Sequence, residues 1–250
     1  MTIILYDIPS TYKENTFSPN TWKARLALNL KGLPYKTQWV ELPDIEPLYK
    51  KLGLAPVDEN SNGSPFYTIP ILHDPATGVY VAESILIAEY LEKTYPDTPS
   101  LFPYDTLALQ AAFVKASRSL IFAANQFTLP VTLVKLNSSS AEHIRRTREP
   151  LFGKTVEEIL PTGEQAVVEW AKVQEEFNKI DGWYAKNGGE GSFLLGDTLS
   201  WADFVILSIL LWLKTIFGEG SGKWKEIAAW NGGRWQKLLE ELNQYTTIFI

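Results

Sequence analysis

The chain of 250 residues carries 23 Lys and Arg against 29 Asp and Glu, a net charge of −6. That balance argues against DNA or RNA as a partner, because nucleic-acid binders draw on clustered cations. It has no cysteine and only two histidines, which excludes disulfides, thiolate nucleophiles and Cys-based metal sites. His73 and His143 stand far apart with no ligand spacing, so no metal is expected, and nothing announces a Ser-His-Asp hydrolase.

The N-terminal run MTIILYDIPS lacks the basic flank and long apolar stretch of a signal peptide, so a cytoplasmic location is expected. Thr2 to Ile8 reads as a strand. In the following stretch NTFSPNTWKAR, Ser18 is a helix N-cap and Pro19 suits the first helical position, so a helix is expected from Pro19 to Lys31. Trp22, Leu26 and Leu30 form its apolar stripe and Gly32 closes it. Tyr35 to Leu42 reads as a second strand, and the breaker-rich segment from Ala55 to Pro65 as an exposed loop. Tyr67 to His73 and Gly78 to Ala82 read as a hairpin around the turn DPATG. A helix follows from Ser84 to Tyr95.

The stretch YPDTPSLFP holds three prolines and reads as a linker. The expected division is an α/β domain over 1–95, a linker over 96–103 and an all-α domain over 104–250. In the last, at least five helical segments are expected, broken by Pro130, Pro150, Pro161 and the glycines around 188–191 and 218–222. Trp201 to Phe217 is strongly apolar but short for a bilayer, and it carries Asp203 and Lys214. It reads as a central core helix capped by Ser200 and Asp203, and no membrane partner is expected.

The run SPNTWKARLALNLKGLPY, the tripeptide TIP at 68–70, VAESILIAEYLEKTYP at 79–96 and GDTLSWADF at 196–204 resemble, in this order, the glutathione transferases. Within that superfamily the chain is most similar to the serine-type, fungal-specific A class, itself similar to bacterial lignin β-etherases. The resemblance implies a thioredoxin-like domain that binds glutathione as co-substrate, followed by a helical domain contributing a hydrophobic substrate site. It also implies a homodimer and a role in the detoxification of xenobiotics.

For individual residues the resemblance implies a cis Ile69-Pro70 bond whose neighbouring backbone pairs with the cysteinyl part of glutathione. Glu83 and Ser84, at a helix head, would meet the charged γ-glutamyl end. Ser18 stands where serine-type members keep a catalytic hydroxyl, which would donate a hydrogen bond to the glutathione sulfur. Tyr6 is the rival, placed where tyrosine-type members keep a phenol. Thr16 and Asn20 are possible supports for Ser18, and Lys50 or Lys51 could meet the glycyl carboxylate. Nine Trp, eleven Tyr and twelve Phe are a high aromatic load. Most belong to the core, while Phe113, Phe122, Asn125 and Phe127 are candidates to line a pocket for hydrophobic, aromatic molecules. The basic run His143, Arg145, Arg146 and Arg148 reads as a solvated helix face. The expected activity is conjugation or reduction of aromatic electrophiles by the bound thiolate. The alternative is a ligandin that binds aromatic small molecules with little turnover.

Overall fold

A computed structural model describes residues 2–60, 63–187 and 191–249. The chain divides into two compact units: Met1–Ser100 with Leu136–His143 and Tyr245–Ile250, and Leu101–Lys135 with Ile144–Gln244.

The first unit has a thioredoxin-like arrangement. β1 (Ile3–Asp7) leads through a long loop to α1 (Pro19–Leu30), followed by β2 (Tyr35–Trp39) and α2 (Ile45–Leu52). Two short strands, β3 (Asp58–Glu59) and β4 (Pro65–Phe66), precede β5 (Ile71–Asp74), β6 (Val79–Ala82) and α3 (Ser84–Thr94). The main sheet has the order β2-β1-β5-β6. β1 pairs parallel with β2, and β5 pairs antiparallel with β1 and with β6.

Three expectations are corrected. β2 stops at Trp39, short of the expected end at Leu42, and Leu42–Asp44 form a helical turn that leads into α2. Pro47 is tolerated there because it lies in the first helical turn, whose N–H groups have no partner within the helix, and Gly53 closes the helix with φ 68°. β5 begins only at Ile71, four residues after the expected start, since Pro70 has no N–H to give to the ladder. The expected loop from Ala55 to Pro65 includes the β3–β4 pair, while residues 61 and 62 lie outside the described set.

Strand alternation sorts β1 between two faces. Tyr6, with Ile4 and Ile8, packs in a cluster with Val40, Ile45, Tyr49, Ile69 and Ile71. Ile3, Leu5 and Asp7 occupy the other face, and Asp7 meets Arg25 of α1 there. Two distant segments belong to this unit through polar contacts. Asn137 and Ser140 donate to the Glu41 carboxylate, and Asn29, Tyr35 and Thr37 donate to the carbonyls of Thr247, Thr247 and Phe249.

The second unit is helical: α4 (Leu107–Ala116), α5 (Arg118–Leu133), α6 (Ser138–Phe152), which begins in the first unit, α7 (Gly163–Tyr184), α8 (Trp201–Phe217) and α9 (Gly222–Glu241). Pro130 and Pro150 lie inside α5 and α6 and do not divide them. Each falls in the last turn, so the distortion it imposes ends a helix instead of splitting one. Of the expected break around residues 188–191, residues 188–190 lie outside the described set. By length and composition one described run, Leu107–Leu133, is apolar enough to cross a membrane. It is interrupted at Ser117, which separates α4 from α5. α8 is buried along nearly its whole length. Ser200 and Asp203 cap its head reciprocally, and Asp203 also accepts from Tyr184 Oη at 2.9 Å and Leu194 N at 2.8 Å.

Candidate active site

One edge of the main sheet gathers the residues singled out in the sequence. Asp7 and Trp39 end adjacent parallel strands side by side. Ile71, the first residue of β5, is paired with Tyr6 on one side and Ala82 on the other. The loop leading to Ser18, the Ile69-Pro70 pair and the Glu83-Ser84 pair all leave from this edge. Backbone bonding ties two of them together, since Glu83 N donates to the Pro70 carbonyl at 3.2 Å.

Ser18 is the N-cap of α1, extended at φ −63° and ψ 123°, with its carbonyl accepting from Trp22 N at 3.0 Å. An N-cap serine ordinarily spends its hydroxyl on the second or third helical N–H. Here the side chain makes no cap hydrogen bond. The residue is 6% exposed, and its hydroxyl sits at the positive end of a helix without serving that helix.

The Ile69-Pro70 bond is cis. The preceding Thr68 carbonyl is held by Tyr49 Oη at 2.6 Å, which fixes this corner to α2. Burial pushes the Tyr49 phenol up to about 12, against the opposing pull of that bond, so it remains a neutral donor at any working pH.

Glu83 heads α3 with φ 77° and ψ 130°. A non-glycine residue at positive φ costs about 1–3 kcal/mol and persists only where its surroundings impose it. Its Oε1 accepts from Ser84 N at 2.9 Å and from Ser84 Oγ at 3.1 Å. Those two donors at a helix head make a carboxylate site, and Glu83 fills it with its own carboxylate.

Tyr6 belongs to the hydrophobic cluster on the α2 side. Burial, and then the neighbouring Tyr80, push its phenol above the ordinary value of 10.0. With Trp39, Val40, Glu41, Leu48 and Lys51 it lines a cleft of about 400 Å³. Tyr6 and Lys51 thus come together there, whereas Ser18, Ile69, Pro70, Glu83 and Ser84 are not among the lining residues. Lys50 is exposed and paired with Glu46 at 2.7 Å. Asn20 is on the exposed surface of α1, while Thr16 is buried.

In the helical unit Phe122 is 64% exposed on α5, with the Arg118 guanidinium 5.9 Å from its ring, and Asn125 is half-buried on the same helix. Phe113 meets Trp183 edge-on at 5.4 Å. Phe127 is 1% exposed and edge-on to Trp170 at 5.1 Å, which makes it a core residue of this unit. Arg145 is paired with Glu149 and Glu157, as a solvated helix face would have it.

Sequence reasoning missed one pair. Asp7 and Arg25 form an ion pair at 3.0 Å with both side chains fully buried. The signal was present. Alternation in IILYD puts Asp7 on the face of Ile3 and Leu5, and Arg25 stands three residues after Trp22 on the helix side that the apolar stripe buries.

Residues 17–94 match the glutathione S-transferase N-terminal domain and residues 108–245 match its C-terminal domain. The chain belongs to the glutathione transferase family. It is 40% identical to the glutathione S-transferase CsGST63524 of Ceriporiopsis subvermispora, solved in complex with glutathione, over 99% of both chains with a TM-score of 0.94. It is also 40% identical to glutathione transferase GSTFuA2 from Phanerochaete chrysosporium, over 99% of both chains with a TM-score of 0.93. Among curated relatives, the glutathione S-transferase-like protein ustS of Aspergillus flavus is 30% identical over 94% of this chain and 86% of its own. In this glutathione transferase the N-terminal match takes in Ser18, Ile69, Pro70, Glu83 and Ser84, and leaves Asp7 and Thr16 outside it.

Proposed function

We propose that this protein binds glutathione at the edge formed by Ser18, Ile69-Pro70 and Glu83-Ser84, and that the Ser18 hydroxyl holds the sulfur as a thiolate for conjugation or reduction of hydrophobic, aromatic electrophiles. The reading is carried by one observation: the Ser18 hydroxyl stands at the head of α1 and makes no cap bond. Among the described residues no base is hydrogen-bonded to its hydroxyl, so the serine is a donor to a thiolate and not itself a nucleophile. The absence of cysteine from the chain leaves glutathione as the only thiol in the reaction.

On binding, the γ-glutamyl carboxylate takes the Ser84 N–H and hydroxyl that Glu83 now occupies. The freed Glu83 carboxylate then faces the γ-glutamyl ammonium, and the exchange replaces one charged acceptor by another at the same donors. The backbone of Ile69 is the partner for the cysteinyl part. Tyr6, its phenol raised and packed into the α2-side cluster, is the poorer donor. Tyr6→Phe is accordingly expected to keep kcat/KM within about twofold, the scale of a change that removes no transition-state contact.

Capture of glutathione is tested by thermal unfolding. At a ligand concentration of about a hundred times Kd, preferential binding to the folded state stabilises by about 2.7 kcal/mol. Glu83→Ala is expected to lose most of that shift while its ligand-free unfolding remains cooperative. An unchanged shift would remove Glu83 from the site. Turnover of glutathione against a panel of aromatic electrophiles tests the reaction itself, and binding of aromatic phenols without turnover on any of them would assign a ligandin.

A further inference from the structure

Between the end of β1 at Asp7 and the start of α1 at Pro19 lies the eleven-residue stretch 8–18. Part of its bonding is internal. Ser10 Oγ donates to the Asn15 carbonyl at 2.7 Å, Asn15 N donates to the Tyr12 carbonyl at 3.0 Å, and Glu14 and Asn15 both take positive φ. Bonds of this kind give the loop its shape, and its place on the scaffold is set by the bonds that leave it.

A buried side-chain tie to the scaffold close to Ser18 comes from Thr16. Thr16 Oγ1 donates to Asp7 Oδ2 at 2.7 Å. The same oxygen accepts from Arg25 Nη2 at 3.0 Å, and Oδ1 accepts from Ile8 N at 2.7 Å. Arg25 is anchored in turn, donating to Tyr35 Oη at 3.2 Å and Thr37 Oγ1 at 3.1 Å, with its guanidinium over the rings of Trp22 and Tyr35. The carboxylate therefore joins the end of β1, the body of α1 and the loop that delivers Ser18. A buried ion pair gains little over apolar packing and holds its geometry through its hydrogen bonds; those from Arg25 to Asp7, Tyr35 and Thr37 are made here, while the buried Arg25 Nε has no partner among the described residues.

We infer that Asp7, held by Arg25, is a positioning residue that acts through Thr16 to set the Ser18 hydroxyl for thiolate stabilisation. The inference rests on the proposed role of Ser18. It assigns the reaction a device of which Asp7 and Thr16 lie outside the N-terminal family match and Arg25 inside it.

Replacing Asp7 or Arg25 would strand a buried charge and endanger folding, so the test uses Thr16→Val, which keeps the volume and removes the donor. With glutathione and an aromatic electrophile, Thr16→Val is expected to lower kcat at neutral pH about fivefold with KM for glutathione within twofold. It should also raise the apparent pKa of the bound thiol. Thr16→Ser should restore both, because it returns the hydroxyl. In Ser18→Ala the same Thr16→Val change should add little further loss, since Thr16 acts through the serine. Wild-type kcat and thiol pKa in Thr16→Val, beside a defective Ser18→Ala, would overturn the positioning role and leave the Ser18 reading standing. Losses that multiply in the double variant would overturn it as well. An unaffected Ser18→Ala would overturn the Ser18 reading itself, and the positioning role with it.

Discussion

Ser18→Ala is expected to lower conjugation near neutral pH by about tenfold and to leave stability within about 0.5 kcal/mol of wild type. The two halves of that expectation come from one feature. A serine that bonds a helical N–H costs about 0.5–2 kcal/mol on removal, but this one makes no such bond, so its loss leaves no helical donor unpaired. A hydrogen bond to a charged acceptor is worth about 1.5–3 kcal/mol, and one pKa unit is about 1.4 kcal/mol. Removing such a bond from a thiolate raises the thiol from about 7 back toward its free value of about 8.5, and the reactive fraction at pH 7 falls by about an order of magnitude. Raising the pH should restore the rate, because solvent then removes the proton that the serine no longer helps to release. Rates at matched pH and urea unfolding of both proteins check the pair of outcomes.

Asp203→Ala is expected to destabilise the fold severely, by about 4 kcal/mol or more. The carboxylate is fully buried and accepts from Ser200 N, Ser200 Oγ, Tyr184 Oη and Leu194 N. Truncation leaves those donors unpaired at the head of a helix that forms the centre of its unit, and each unpaired buried donor costs about 1–3 kcal/mol. The same residue gives stability a pH dependence. Burial raises its pKa from 3.8 to about 6, against the pull of its hydrogen bonds. The folded state then binds a proton that the unfolded state releases over the interval between those values. This contribution is full below about pH 4 and lost as the pH rises through about 6, with a slope of at most about 1.4 kcal/mol per pH unit. Asp203→Asn cannot titrate, so the difference in unfolding free energy between wild type and this variant should change with pH in that window and be flat above about pH 7. Urea unfolding across pH 4 to 8 measures it, and a difference independent of pH would place the carboxylate in a less desolvated setting than the structure gives it.

What the sequence disclosed of this molecule was local. Ser18-Pro19, Gly32, the DPATG turn and Ser200 with Asp203 each act within a few residues, and α1, the β5–β6 hairpin and α8 form beside them. The family motifs added the thioredoxin-like reading of the first domain and the residues expected to meet glutathione. What stayed hidden depends on partners far along the chain. Asp7 ends an apolar strand, and only its meeting with Arg25, eighteen residues on, makes it a junction. Phe127 has the composition of a pocket residue, but Trp170 claims it for the core. α2 was missed because Pro47 resembles a breaker until the helix is seen to start only two residues earlier. The Ser18 hydroxyl is the subtlest case. Its place as an N-cap was legible, whereas its freedom from capping depends on side-chain geometry that residue type does not encode.

Thiolate absorbance of the glutathione complex, titrated for wild type and Ser18→Ala, tests the central claim most directly, because it reads the proton on the sulfur without any second substrate. The wild-type complex should titrate about one pKa unit or more below the Ser18→Ala complex. Superimposable curves from two glutathione-saturated, folded proteins would contradict the account, return Ser18 to a structural residue and make Tyr6 the next candidate.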